Sequence, residues 1–270
     1  MGKLDGKVAF ISGGARGQGR SHAVRLAEEG ADIVTFDLCE QIDTVSYTMS
    51  TPEDLEQTVK EVEALGRRIV ARQADVRDVE SVRAVFDEGV AALGPVSIVC
   101  ANAGIGVGGV DSDQAWQDVI DVDLTGVWNT GRVAIPSMIE RGEGGALVLT
   151  SSTGGVLGVP SDDPGMLAYI AAKHGVIGLM RSWANHLAPH YIRCNAVAPT
   201  AVNTPMAANP QMEQSLKDNP GLAAAWMNPI PVMWVEAIDI SNAVAWLASD
   251  EARYVTGTIV PVDAGLLNKC

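Results

Sequence analysis

The chain has 270 residues, of which 47% are hydrophobic and 19% are charged, and its formal net charge is −14. This acidic balance, without a basic stripe, argues against nucleic acid or an anionic membrane as a partner. No run of about eighteen or more apolar residues occurs, so no membrane span is expected. The four cysteines lack C-x-x-C spacing, which predicts free thiols and no metal site. Because the first residues carry no apolar signal core, we expect a cytoplasmic protein.

A strand, a glycine-rich loop and a helix are predicted at the start of the chain. Residues 8–11 form a short apolar run, typical of a buried strand, that leads directly into the loop at 12–19. A helical pattern follows and stops at Gly30. This order places unpaired backbone N–H groups and the positive end of a helix dipole where a pyrophosphate can bind. The loop residues expected to contact such a group are Gly13, Arg16, Gly17, Gln18 and Gly19.

A second apolar strand, at 31–36, ends at Asp37. A carboxylate at this position can accept hydrogen bonds from both hydroxyls of an adenosine ribose, and it would repel a 2′-phosphate. Asp37 therefore favours NAD over NADP as the cofactor. Arg16 is the counter-argument, because an arginine in the loop could bind that phosphate; we give Asp37 more weight.

Helices and strands alternate along the rest of the chain. Helical patterns cover residues 52–65, 79–93, 113–140, 167–187 and 236–249, and strand patterns cover 68–73, 96–101, 146–151, 192–197 and 258–262. The alternation predicts one α/β domain over residues 1–270, with a single doubly wound, Rossmann-type parallel sheet and helices on both faces. Ligands bind such sheets beyond the carboxyl ends of the strands. The residues expected there include Gly13, Asp37, Asp75, Asn102, Ser152 and Pro199.

A tyrosine and a lysine stand one helical turn apart at Tyr169 and Lys173, seventeen residues after Ser152. Positions i and i+4 share a face of a helix, so the ammonium favours the ionised form of the phenol. Tyr169 could then exchange a proton with an alcohol or carbonyl while a hydride moves to or from a cofactor. Taken alone, an exposed Tyr and Lys on a helix surface would be the commoner interpretation of this pair.

Several ordered motifs together resemble the short-chain dehydrogenase/reductase family, and the match covers nearly the whole chain. They are the glycine spacing Gly13-x-x-x-Gly17-x-Gly19, the Tyr169-x-x-x-Lys173 pair, Asn102-Ala103-Gly104, Ser151-Ser152, Asn195 to Pro199, and the closing segments 254–257 and 262–265. The resemblance implies that Tyr169 is the general acid/base. It also implies that Lys173 lowers the pKa of Tyr169 and binds the nicotinamide ribose, and that Ser152 holds the substrate oxygen.

The same resemblance implies the remaining contacts with NAD and an assembly. Thr204 matches the threonine that meets the nicotinamide carboxamide. The other implied cofactor residues are Leu38, Asp75, Val76, Asn102, Ala103, Gly104, Pro199 and Val202. By resemblance, the protein is expected to be a homotetramer in which the helices bearing Asp123 and Tyr169 pack across subunits.

One position departs from the family pattern. The family commonly has Asn-Leu-Thr-Gly-Val in the long central helix, where the asparagine supports a proton relay through water to the lysine; this chain has Asp123 instead. An aspartate can accept a hydrogen bond from that water but has no amide N–H to donate, so the relay is expected to be altered or weakened. Asn129 is expected to face elsewhere. We keep Asp123 as a candidate catalytic residue.

An insertion at about 38–51 follows the ribose-binding carboxylate and is about a dozen residues longer than this crossover needs. With the segments that follow it, it resembles an actinobacterial subgroup that includes carveol dehydrogenase and the mycofactocin-associated dehydrogenases. The resemblance implies that the insertion folds over the adenosine end and retains NAD, which a separate redox carrier would reoxidise in place. The alternative is a surface insertion without function.

Two further segments bear on the substrate. Residues 158–165 lengthen the spacing from Ser152 to Tyr169 and predict a rigid turn at the mouth of the substrate site. Residues 200–235 match the family's substrate loop, and their bulky apolar content favours a small hydrophobic alcohol or ketone. The alternative is that these side chains only pack beneath a lid. The residues concerned are Met212, Leu216, Leu222, Trp226, Met227, Met233 and Trp234.

The sequence therefore predicts an NAD-dependent enzyme that interconverts a secondary alcohol, of the cyclic, allylic or terpenoid kind, and its ketone. A general short-chain dehydrogenase with exchangeable NAD, acting on an acyl, steroid or polyol substrate, is the alternative among enzymes. From another class, the change at Asp123 permits a catalytically weak NAD-binding redox sensor. The complete set of Ser152, Tyr169 and Lys173 speaks against the sensor.

Overall fold

The computed structural model describes residues 2–218 and 226–269 of the chain. Within these residues, seven strands form one parallel sheet in the order β3-β2-β1-β4-β5-β6-β7. The strands are β1 (Val8–Ser12), β2 (Asp32–Asp37), β3 (Ile69–Gln73), β4 (Ile98–Ala101), β5 (Gly145–Thr150), β6 (Ile192–Pro199) and β7 (Ile259–Val262). The predicted parallel, doubly wound α/β sheet is confirmed.

The helices occupy the crossovers between strands. They are α1 (Gly17–Glu28), α2 (Pro52–Ala64), α3 (Val79–Leu93), α4 (Asp113–Ile120), α5 (Gly126–Arg141), α6 (Pro164–Leu187), α7 (Pro210–Asp218) and α8 (Ala237–Ala248). The bounds predicted for α3 match the structure, whereas α6 begins three residues before the expected start. The earlier start follows from Asp163, whose carboxylate caps the helix by accepting a hydrogen bond from the backbone N–H of Met166.

The central helix is not uniform, although the sequence predicted one helix over 113–140. A π-helical turn, Asp121–Thr125, separates α4 from α5. In such a turn each N–H bonds to the carbonyl five residues back instead of four, so one extra residue is accommodated without ending the helix. The candidate residue Asp123 lies in the middle of this turn.

Alternate residues of each central strand pack on opposite faces of the sheet. Phe10 of β1 packs on one face against Phe36 and Phe86, at ring-centroid distances of 5.4 and 5.3 Å. Its neighbour Ile11 packs on the other face with Leu26 of α1 and residues of α8. Because helices cover both faces, the central strands β1 and β4 are buried throughout, and the carboxyl ends of the strands are open only at one edge of the sheet.

The described residues contain no helix long and apolar enough to cross a membrane. Cys39, Cys100 and Cys194 are buried free thiols, and burial raises the pKa of Cys100 to about 12. In the same ranges, no group of His, Cys, Asp and Glu side chains is arranged to hold a metal ion. Cys270 lies outside the described residues.

A buried histidine links the first helix to the last. His22 of α1 is fully buried, and its Nδ1 lies 2.8 Å from the hydroxyl of Ser241 in α8. Burial disfavours the imidazolium ion and lowers the pKa of His22 to about 4. The folded protein therefore holds this side chain neutral at pH values where the unfolded chain would protonate it.

We predict that this histidine makes the fold sensitive to acid. The pKa of His22 is lower in the folded protein than in the unfolded chain. Its contribution to the free energy of unfolding is therefore complete above pH 6.5 and is lost as the pH falls towards 4. The expected loss is about 3 kcal/mol of unfolding free energy. Urea unfolding of wild type and His22→Gln should show their difference shrinking by this amount between pH 7 and pH 4. His174→Gln, which alters an exposed imidazole, is the control; a constant difference for His22→Gln would contradict the assignment.

Candidate functional site

The glycine loop after β1 adopts a conformation that side chains would prevent. Gly13 has φ +74°, and a Cβ built on it would lie 2.8 Å from the Cα of Ala103. A Cβ on Gly19 would lie 1.9 Å from the carbonyl oxygen of Gly13. The glycines thus allow the loop to fold tightly against the start of α1 and against the residues after β4.

Asn102 ties the ends of β1 and β4 together. Its backbone N–H donates to the hydroxyl of Ser12 at 3.0 Å, and its side-chain amide donates to the carbonyl of Ser12 at 3.2 Å. The N–H of Ala103 donates to the same hydroxyl. These bonds bring the Asn102-Ala103-Gly104 motif beside the glycine loop, as the sequence predicted from the parallel order of the strands.

Asp37 stands at the carboxyl end of β2 and organises the segment around it. One oxygen of its carboxylate accepts a hydrogen bond from the N–H of Ala15 at 2.9 Å, and the other accepts one from the hydroxyl of Ser50 at 2.6 Å. The guanidinium of Arg16 donates to the carbonyl of Thr48. Arg16, the possible partner of a 2′-phosphate, is therefore engaged by the insertion.

An elongated cavity of about 890 Å³, counted with its open mouth, lies along the carboxyl edge of the sheet. The predicted residues in its wall are Gly13, Arg16, Gly17, Gln18, Gly19, Asp37, Leu38, Asp75, Val76, Asn102, Ala103, Gly104 and Thr204. Four predicted cofactor residues do not line it: Pro199 ends β6, Val202 is buried in a bridge with Val235, and Tyr169 and Lys173 lie on α6. Further wall residues include Ile42, Tyr47, Met49, Ser50, Ile105, Pro205 and Met206.

Residues 38–51, here called the strap, form one side of this cavity. Ile42, Val45 and Tyr47 are buried, which accounts for the apolar residues in a segment that has no periodic pattern. Inside the strap, the side-chain amide of Gln41 donates to the carbonyls of Ile42 and Val45 and accepts from the N–H of Met49. The strap thus has a defined conformation of its own.

Besides the bonds that Arg16 and Gln73 donate to the carbonyls of Thr48 and Leu38, three contacts anchor the strap to the rest of the protein. The N–H of Gly106 donates to the hydroxyl of Tyr47 at 3.2 Å, and the hydroxyl of Thr44 donates to the carboxylate of Asp118 at 2.6 Å. The third is the bond from Ser50 to Asp37. Burial raises the pKa of Tyr47 to about 12, so this phenol stays protonated. The anchors lie on β2, on α4 and on the loop after β4, so the strap extends across the cavity.

The candidate catalytic side chains meet beside β5. A Cβ built on Gly154 would lie 3.6 Å from the Ser152 hydroxyl oxygen and 3.6 Å from the ring of Tyr169, so both side chains flank this glycine. The Lys173 nitrogen lies 5.4 Å from the centroid of the same ring. The Ser151 hydroxyl is buried and donates to the carbonyl of Lys173 at 2.9 Å, whereas Ser152 is partly exposed. The structure therefore brings Ser152, Tyr169 and Lys173 together.

Asp123 joins this group from the π turn. Its carboxylate is fully buried, lies 2.9 Å from the ammonium of Lys173, and accepts a hydrogen bond from the N–H of Ile105 at 2.8 Å. Burial works against the ammonium, but the charges of Asp123 and Tyr169 outweigh it and raise the pKa of Lys173. The sequence predicted an altered water relay at Asp123; the direct ion pair of this carboxylate with Lys173 was not predicted. Asn129 donates to the carbonyls of Val76 and Arg77, away from this pair.

The segment before α6 contacts the loop that follows β4. The carboxylate that caps α6, that of Asp163, also accepts a hydrogen bond from the N–H of Gly109 at 2.7 Å. Gly165 approaches the carbonyl of Val107 so closely that a Cβ there would lie 2.5 Å from that oxygen. Residues 158–165 are thus held against the loop that follows β4.

The predicted substrate loop contributes the apolar residues Pro205 and Met206 to the cavity wall. Met206 lines the cavity and packs near Gly106. Met227 and Met233 are 64% and 67% exposed, so these two do not pack beneath a lid. Leu222 lies outside the described residues, and the side chain of Leu216 is not described.

Comparisons with known proteins agree on one group. The sequence family described as Enoyl-(Acyl carrier protein) reductase matches residues 13–267. The chain is 46% identical to (−)-trans-carveol dehydrogenase of Rhodococcus erythropolis, over 98% of this chain and 99% of that protein. It is 55% identical to an uncharacterized oxidoreductase of Mycobacterium tuberculosis, over 98% of each. Among solved structures, carveol dehydrogenase of Mycobacterium avium in complex with NAD superposes with a TM-score of 0.94, at 52% identity and over 100% of both chains.

We predict that the loop tolerates no side chain at Gly19. The added methyl group would overlap the carbonyl of Gly13, so Gly19→Ala should lower the unfolding free energy by about 2 kcal/mol or more. Gly178→Ala, at a helical position with open space around it, should instead stabilise the protein by up to about 1 kcal/mol. Urea unfolding of the two variants would test this. Equal effects would show that the loop is less tightly packed than described.

Proposed function

The chain belongs to the short-chain dehydrogenase/reductase family, and we propose that it interconverts a secondary alcohol and its ketone with NAD. The observation that carries this proposal is the grouping of Ser152, Tyr169 and Lys173 beside a cavity with a glycine loop at its other end. Relatives and solved neighbours that are named as dehydrogenases support it.

In alcohol oxidation, Tyr169 acts as the base. Its phenolate takes the proton of the alcohol hydroxyl, while the nearby ammonium of Lys173 stabilises the negative charge before the transfer. Ser152 donates a hydrogen bond to the substrate oxygen and holds the reacting carbon in place. When bound, NAD supplies the acceptor for the hydride that leaves this carbon. Ketone reduction uses the same groups in reverse.

The residues around the cavity fit NAD. The glycine loop leaves room for the backbone to approach a pyrophosphate at the start of α1. Asp37 offers a carboxylate to the adenosine ribose, and the engagement of Arg16 by Thr48 withdraws the one loop arginine from a 2′-phosphate. These features support NAD over NADP.

The substrate that we propose is a hydrophobic secondary alcohol of the cyclic, allylic or terpenoid kind. Met206 gives the cavity wall an apolar and adaptable side chain, and Met227 and Met233 of the same loop are exposed. The likeness to carveol dehydrogenases supports the same class. An acyl, steroid or polyol substrate is the alternative.

We further propose that NAD stays bound through turnover and is reoxidised in place by a redox carrier. The strap supports this, because its anchors at Asp37, Gly106 and Asp118 would have to break before a dinucleotide in the cavity could leave sideways. An unanchored surface insertion would have no such effect. With exchangeable NAD, the strap would have to open in each cycle.

Removing the phenolic hydroxyl tests the catalytic role. Tyr169→Phe should lower kcat for oxidation of a secondary alcohol such as carveol by about 10²- to 10⁴-fold, because the base is lost. NAD binding should remain. Tyr254→Phe, which changes an 89% exposed tyrosine, is the matched control and should keep full activity. If Tyr169→Phe retains the wild-type rate, the protein is not this kind of dehydrogenase, and a redox sensor becomes the better account.

Weakening the strap tests cofactor retention. Tyr47→Phe and Thr44→Val each remove one anchoring hydrogen bond, worth about 1 kcal/mol, so each should speed NAD release about fivefold and the double variant about 25-fold. The measurements are NAD content after gel filtration and the rate at which excess labelled NAD replaces it. Tyr191→Phe, at an exposed position, is the control. Wild type that is purified without NAD, or identical release rates, would contradict retention.

A further inference from the structure

The ion pair between Asp123 and Lys173 is enclosed by protein on every side. The exposed fractions of the two side chains are 0% and 4%. The second acceptor near the ammonium is the carbonyl of Thr150, at 3.3 Å. A buried ammonium that lacks a counter-ion tends to lose its proton, because burial penalises the charged form. Lys173 therefore depends on Asp123 for its charge.

Both oxygens of the Asp123 carboxylate are in use. Oδ1 accepts the hydrogen bond from the N–H of Ile105, and Oδ2 faces the Lys173 ammonium. An asparagine has a single acceptor oxygen, so it would leave one of these two donors facing its NH₂ group. The arrangement is therefore specific for a carboxylate, and asparagine could not replace it without loss.

We propose that Asp123 is the counter-ion that keeps Lys173 charged and directed at Tyr169 while Tyr169 exchanges its proton. The proposal rests on the dehydrogenase function proposed above. Asp123 is a positioning residue, because it acts through the lysine and not on the substrate. The π turn contributes by presenting Asp123 towards α6 within an otherwise continuous helix.

The ionisable groups around the ammonium are few. Asp123 on the π turn and Tyr169 on α6 act on it directly, and Tyr47 of the strap interacts with both of them. Strand β5 presents the uncharged carbonyl of Thr150. The neighbouring carboxylate of Asp121 accepts from Gln117 instead. Removing the charge of Asp123 should therefore act mainly on the protonation of Lys173.

The test is Asp123→Asn, with Asp121→Asn as the matched control from the same turn. For alcohol oxidation, wild-type kcat/KM should rise with pH to a plateau. In Asp123→Asn, kcat/KM should fall again at alkaline pH because Lys173 loses its proton. The ratio of wild-type to variant kcat/KM should therefore be at least about tenfold larger at pH 9.5 than at pH 7. A deficit that is the same at every pH would mean a merely structural role and would overturn the proposal.

A second measurement does not depend on activity. Titration of ¹³Cε-labelled lysine by NMR, with Lys173→Met to assign the signal, should place the pKa of Lys173 above the usual lysine value in wild type and at least about two units lower in Asp123→Asn. If Asp123→Asn fails to fold, the wild-type titration still tests the proposal, because a Lys173 pKa below the usual lysine value would overturn it. Wild type without alcohol oxidation would contradict the proposed function instead, and the titration would still test the ion pair.

Discussion

All the described strands run parallel, so their carboxyl ends converge on one edge, and this constraint places the candidate functional residues that follow the strands. Gly13 and Asp37 follow neighbouring strands, and Asn102 joins the ends of β1 and β4 through Ser12. The loops at this edge can pack together only because glycines allow close contacts between backbones, as between Gly13 and Ala103. Since both faces of the sheet are covered by helices, this edge is where a ligand can reach the strand ends.

The strap extends this edge into an enclosed cavity. Each of its anchoring hydrogen bonds contributes only about 1 kcal/mol, but they fix three separate points, so the strap resists opening at any single one. The carboxylate of Asp37 contacts both the glycine loop and the strap, since it accepts hydrogen bonds from the N–H of Ala15 and from the hydroxyl of Ser50. The proposed selection of NAD and the anchoring of the strap therefore depend on the same side chain. On the other side of the cavity, Tyr47 reaches the loop that leads towards the catalytic group.

The sequence predicted those parts of the fold that leave a local pattern. The buried strands, the glycine loop and α3 each carry their own periodicity or turn signal, and Tyr169 and Lys173 are adjacent because helix geometry makes them so. The π turn was missed because the buried residues of α4, the turn and α5 still recur every three or four positions, so no break in the helical pattern marks the turn. The contact of Asp123 with Lys173 could not be predicted in this way, because it joins segments that are distant in the sequence. The conformation of the strap could not be predicted either, because its sequence has no periodic pattern. Its buried Ile42, Val45 and Tyr47 were the one available signal.

Alcohol oxidation with NAD held by the strap is tested most directly with purified protein without added NAD, a panel of secondary alcohols that includes carveol, and an artificial electron-accepting dye. If the strap holds NAD in the cavity, dye should be reduced through many turnovers, because the bound NAD accepts hydride from the alcohol and the dye then reoxidises the bound NADH. Without dye, a single turnover should be seen. If activity requires added NAD, the strap does not retain the cofactor and the central claim is wrong.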